Sequence, residues 1–111
     1  MPSRQPVMFP SSVAVLADFG ERLRRARLRR RLPAATVAAR AGIARATLSR
    51  AERGEPAVAL GTYLRILRVL GLESDLSIVA RDDELGRKLQ DLELPQRRRA
   101  PKLTSGGSGR P

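Results

Sequence analysis

The sequence predicts an all-α protein of four to five helices with one short C-terminal strand, paired across a dimer. Three observations carry that expectation. Apolar residues recur at three- and four-residue spacing through most of residues 12–72. Glycines at 42, 54 and 71 stand where those runs stop, and a helix end asks for a residue that tolerates a left-handed backbone. Only between residues 73 and 81 does the period change to two, the signature of a short strand.

Each element has its own warrant. Residues 1–11 hold three prolines and no periodicity, and are expected to form a loose N-terminal arm. Leu16, Phe19, Leu23 and Ala26 define a first helix from Ser12 to about Arg31, with arginines on its other faces. Leu32-Pro33 breaks it, and proline then suits the first turn of a second helix ending near Ala41. Val37, Ala38 and Ala41 share one face there, small enough to let two backbones approach. After the turn at Gly42 and the corner at Ile43, a third helix runs from about Ala44 to Arg53, with Thr47, Leu48 and Ala51 inward. Leu60, Leu64, Leu67 and Leu70, with Ile66 and Val69 alongside, make a fourth helix that Gly71 stops. In the expected strand Leu76, Ile78 and Ala80 alternate with Asp75, Ser77, Val79 and Arg81. A lone strand has no partner in a helical monomer, so these three residues are assigned to a joint between two copies. Residues 82–94 suit a short charged helix with Leu85, Leu89 and Leu92 on one face. Residues 95–111 form a basic, Gly/Ser-rich tail expected to be disordered.

Composition narrows the function. A chain of 111 residues supports one small domain with appendages. It carries 22 Lys+Arg against 11 Asp+Glu, a net charge of +11, which points to a polyanionic partner. Lys88 and Lys102 are the only lysines; the rest is arginine, whose planar fork suits phosphates and base edges. A codon preference for arginine also accounts for the scarcity of lysine, but not for the net charge. Cysteine and histidine are absent, which removes thiolate nucleophiles, Cys/His zinc sites and imidazole bases. With no convincing carboxylate pair either, the chain is read as a non-enzyme without cofactor or metal. The opening MPSRQPVMFPSS lacks the apolar core of a secretory signal, and no apolar run approaches a membrane span. The expected location is the cytoplasm.

The stretch ARAGIARATLSRAERGEP, residues 39–56, decides the class. A small residue at Ala38, Gly42 four residues on, the corner Ile43 and the anchor Leu48 resemble the helix-turn-helix of the Cro/C1 (Xre) family of bacterial DNA-binding regulators. FGERLRRAR before it and RATLSRAERGEP at its end are similar to that family's first and recognition helices, so the resemblance covers about residues 16–72. A plain helix stop among alanines would explain Gly42 but not these flanks. Two helices crossing steeply with almost no linker need small contact residues and a glycine turn, which frees the next helix to enter a major groove.

The resemblance implies base contacts from Arg45, Ala46, Ser49 and Arg50. Arg45 and Arg50 would hydrogen-bond guanine bidentately, and Ala46 would offer only apolar contact. It also implies backbone contacts from Arg53, Arg27 and Thr47, and a structural ion pair between Arg27 and Glu52. Pro33-Ala34 and Ala44 depart from the family pattern by removing the usual caps of two helices, and Glu55 adds a negative charge near the expected phosphate path.

The region LESDLSIVARDDELGRKLQDLELPQRRR further resembles small HipB-type antitoxins. That likeness implies a homodimeric repressor of its own operon which binds double-stranded operator DNA and a HipA-type Ser/Thr kinase toxin. The alternatives are a plain Xre-type transcriptional regulator and a protein-interaction module with a decayed DNA face. An RNA-binding protein is disfavoured by an aromatic content of 3%. The organisation expected is therefore arm 1–11, DNA-binding domain 12–72, dimerisation strand and charged helix 73–94, and tail 95–111.

Overall fold

The structure, a computed structural model, describes residues 7–97. The chain divides after Ser77 into two units, a helical domain and a second unit from Ile78. Residues 1–6 of the expected arm and 98–111 of the expected tail lie outside the described residues.

The domain is built from α1 (Pro10–Arg29), α2 (Ala34–Ala41), α3 (Arg45–Glu52) and α4 (Leu60–Leu70). Helix α1 starts two residues earlier than the periodicity indicates. Pro10 occupies the first helical position, where a missing N–H costs nothing, and the amides of Ser12 and Val13 donate to the Phe9 carbonyl. All four helices feed one core: Leu23 and Ala26 from α1, Val37 and Ala38 from α2, Leu48 and Ala51 from α3, and Tyr63, Ile66, Leu67 and Leu70 from α4. Leu60, counted on the apolar face of the fourth helix, is exposed, and Tyr63 takes the interior place a turn later. The Tyr63 ring lies 5.2 Å from that of Phe19, and its hydroxyl donates to the Glu55 carbonyl at 3.1 Å, so its one polar atom is satisfied.

The four helices close by one device. The amide of Leu32, Ile43, Glu55 and Leu72 each donates to a carbonyl five residues earlier, and the residue just before it is left-handed. Glycine fills that place three times; after α1 it is Arg31, at φ 55°. Gly20 is needed for another reason. A Cβ there would sit 2.5 Å from the Gly54 nitrogen and 2.7 Å from the carbonyl oxygens of Ala51 and Glu52. The backbones of α1 and the end of α3 therefore touch directly.

The expected strand is absent. Residues Glu73–Ile78 form a 3-10 helix, and no strand occurs among the described residues. An isolated strand leaves its amides and carbonyls unpaired, whereas a tight turn satisfies some locally. The Asp75 amide donates to the Leu72 carbonyl, and the Ser77 hydroxyl to that of Ser74 at 2.6 Å. Leu76 packs half-buried against the core, Ile78 is exposed, and Ala80 is left-handed at φ 62°, a conformation no strand contains. Leu76, Ile78 and Ala80 thus form no common strand face, and the dimer joint assigned to them is not found.

In the second unit, α5 (Glu84–Arg97) is the expected charged helix, extended to take in residues 95–97 of the expected tail. Asp83 caps it by accepting the Gly86 amide at 3.0 Å, and Arg87 reaches Asp82 at 2.8 Å.

Candidate nucleic-acid interface

Helices α2 and α3 are joined through Gly42, Ile43 and Ala44 alone. Such a short connection works because Val37, Ala38 and Ala41 on one side and Leu48 and Ala51 on the other are buried and small enough to meet. The caps are as lean as the sequence indicates. Pro33 and Ala44 precede their helices in extended conformation without a side-chain hydrogen bond.

With its inner face in the core, the eight-residue α3 turns Arg45, Ala46, Ser49 and Arg50 outward, and all four are exposed. Spacings of three and four residues place them on one side of the helix. Their donors are not equally free. Arg45 makes no side-chain hydrogen bond among the described residues, so its whole guanidinium faces solvent. Arg50 donates through Nη2 to Thr47 Oγ1 at 3.2 Å, a bond that half-buried Thr47 accepts on the rim of the same face. Arg53 is the most occupied: Nη1 donates to Ser49 Oγ at 2.8 Å, while Nε and Nη2 donate to Glu55 Oε2 at 3.0 and 2.9 Å. Glu55 therefore neutralises the arginine assigned to the phosphate backbone.

Arg27 is placed differently from the other arginines. Nε and Nη2 donate to Glu52 Oε2 and Oε1 at 2.7 and 3.0 Å, and Nη1 donates to the Leu32 carbonyl at 3.1 Å. The two side chains are only 12% and 9% exposed. The hydrogen bonds to Glu52 raise the already high pKa of Arg27, against burial, which lowers it. An arginine so enclosed and so fully engaged ties α1 to α3, and the backbone contact assigned to Arg27 does not fit this geometry.

Two further cations flank the turn without a role in the sequence reading. Arg40 is exposed on the last turn of α2, and Arg65 Nη1 lies 3.5 Å from the Ala41 carbonyl. Their sequence signal is only a basic residue near a helix end, common to many helices. Gly20 likewise has no role in the sequence reading; its signal there is a glycine inside an apolar helical pattern, which can mark close packing. Among the described residues no cluster of acidic side chains could hold a metal, and no helix is long and apolar enough to cross a membrane.

No curated protein matches the chain. The family model of a helix-turn-helix domain matches residues 18–77, from the middle of α1 through the 3-10 helix. That match takes in the latter part of α1, the whole of α2, α3 and α4, the glycine turn and the outward face of α3, and spans more than half of the 111 residues. The chain belongs to the helix-turn-helix domain family.

Proposed function

We propose that the protein is a sequence-specific DNA-binding transcriptional repressor that reads a duplex operator with α3. The observation that carries this reading is the outward face of Arg45, Ala46, Ser49 and Arg50 on a helix whose opposite face is locked in the core. Arg45 and Arg50 supply bidentate donors for guanine, Ala46 an apolar contact, Ser49 a short adaptable hydroxyl. A net charge of +11 supplies the sequence-independent attraction. A cytoplasmic place at the nucleoid and a non-enzymatic role go with this reading.

The test is titration of duplexes from the gene's own upstream region at several salt concentrations. Affinity is expected to fall steeply with salt, with a slope of about −0.9 per phosphate neutralised. Arg45→Ala and Arg50→Ala should each cost ~1–3 kcal/mol on the preferred site and flatten discrimination between sites. Absence of binding at low salt would instead favour a protein-interaction module.

The narrower antitoxin reading is supported by the resemblance of residues 72–99 to HipB-type proteins, without the paired strand once expected there. Its test is the neighbouring reading frame. A HipA-type Ser/Thr kinase that co-purifies with the chain makes it an antitoxin; without one, the plain regulator stands.

A further inference from the structure

Helix α5 carries an apolar stripe. Leu85, Leu89 and Leu92 are 68%, 54% and 77% exposed, and no residue from Ile78 to Glu93 is buried. A single helix of 14 residues is marginal in water, so its stability calls for a partner surface.

The stripe itself says which partner. A spacing of four and then three is the narrow seam of a coiled coil, with Leu85 and Leu92 at d positions and Leu89 at a. Lys88 then falls at g and Glu93 at e, the two positions that flank the seam and set partner choice. In a parallel pair, a g residue faces the e residue five positions further along the other helix. Lys88 of each copy would therefore meet Glu93 of the other, giving two pairs of opposite charge. An antiparallel pair would set Lys88 against Lys88 and Glu93 against Glu93. Among the described residues no ion pair includes either of them. Arg87, on the outer face, is engaged with Asp82.

We propose that α5 is a homodimerisation helix, pairing in parallel with α5 of a second copy through Leu85, Leu89 and Leu92, with register and orientation set by Lys88 and Glu93. This moves the joint between copies from residues 75–81 to residues 85–93. The use of such a dimer on an operator rests on the DNA-binding reading; its formation does not.

Sedimentation equilibrium of the full chain without DNA, over micromolar to millimolar concentration, is the test. The parent should self-associate, and Leu89→Asp should be monomeric. Lys88→Glu and Glu93→Lys should each weaken association about tenfold, because both cross-pairs become like-charged. An equimolar mixture of the two variants should recover the parental affinity, since every g position then faces an opposite charge again. Thermal unfolding of the helical domain, unchanged in all three variants, excludes misfolding as the cause.

A parent that stays monomeric throughout overturns the proposal, as does association indifferent to Leu89→Asp. Single charge variants no weaker than the parent, with a mixture stronger than it, would show antiparallel pairing and reject the parallel seam. Because no DNA enters the measurement, failure of operator binding leaves this result standing, and the reverse.

Discussion

Gly20 lies against Gly54 with no room between them for a side chain: a Cβ on Gly20 would sit 2.5 Å from the Gly54 nitrogen. The surrounding atoms are backbone and cannot rotate aside. Gly20→Ala is therefore expected to destabilise the domain by ~1–3 kcal/mol, although alanine is the better helix former. Gly61→Ala, where nothing lies within 4 Å, provides the contrast and should stabilise by up to about 1 kcal/mol. Urea unfolding of the two variants decides, and equal effects would show that packing at Gly20 is not limiting.

The Arg27–Glu52 pair leads to an asymmetric outcome. Removing one partner strands the other in a nearly closed site, so Glu52→Ala or Arg27→Ala should each cost ~3–5 kcal/mol. Arg27→Met with Glu52→Leu removes both charges and should recover a large part of that loss. A double-mutant cycle by denaturant unfolding measures the coupling directly; near-zero coupling would reduce the pair to a surface contact.

Arg31 occupies the left-handed position that glycine fills after the other three helices of the domain. Arg31→Gly should remove that strain and raise stability by about 0.5–1 kcal/mol, net of the greater freedom glycine has when unfolded. The same substitution at Arg30, whose backbone is right-handed, should do the opposite. Paired thermal melts compare the two.

Burial, aided by the charge of Glu55, raises the pKa of the Tyr63 phenol above its usual 10.0. The unfolded chain then ionises first as pH climbs. The stabilisation this represents is complete below about pH 10 and is lost as pH rises through the folded-state pKa. Tyr63→Phe should flatten the alkaline limb of the stability profile. At neutral pH it should cost ~0.5–1.5 kcal/mol for the hydrogen bond to the Glu55 carbonyl. Unfolding free energies from pH 7 to 11 supply the check.

Glu55 holds Arg53 through two hydrogen bonds and places a carboxylate beside the proposed DNA face. Glu55→Gln should release that arginine to a phosphate, tightening duplex binding severalfold and steepening the salt slope by about 0.9. Affinity unchanged at low salt would remove Arg53 from the interface.

Much of the helical domain was legible because its signals were redundant. Val37, Ala38 and Ala41, the turn at Gly42 and the anchor at Leu48 each bear on the same crossing of two helices, and all but Gly42 are buried. The outward placement of Arg45, Ala46, Ser49 and Arg50 follows from the same register. Residues 75–81 depart from the expected strand because alternation over so few positions describes side chains only, whereas a strand depends on a neighbour for its backbone. Leu60 and Tyr63 exchanged places because hydropathy favours leucine, while the interior had room for a ring beside Phe19 and a carbonyl for its hydroxyl. The Arg27–Glu52 pair was legible through the family resemblance, across 25 positions; what sequence could not show is that the enclosure of Arg27 leaves it no reach for a phosphate.

Helix α3 is eight residues long, has no side-chain cap, and keeps its direction through Leu48, Ala51, Glu52 and the backbone of α1. A helix of that length has almost no tendency to persist by itself in water. The segment excised as a synthetic peptide is therefore expected to be largely unstructured, its arginines without a defined spacing. Within the domain, by contrast, Arg45, Ala46, Ser49 and Arg50 lie outside the core, and their only side-chain bonds there are exposed ones. On the proposed reading of α3, preference for one DNA sequence over another can therefore be rewritten at four surface codons while the scaffold that aims them stays untouched.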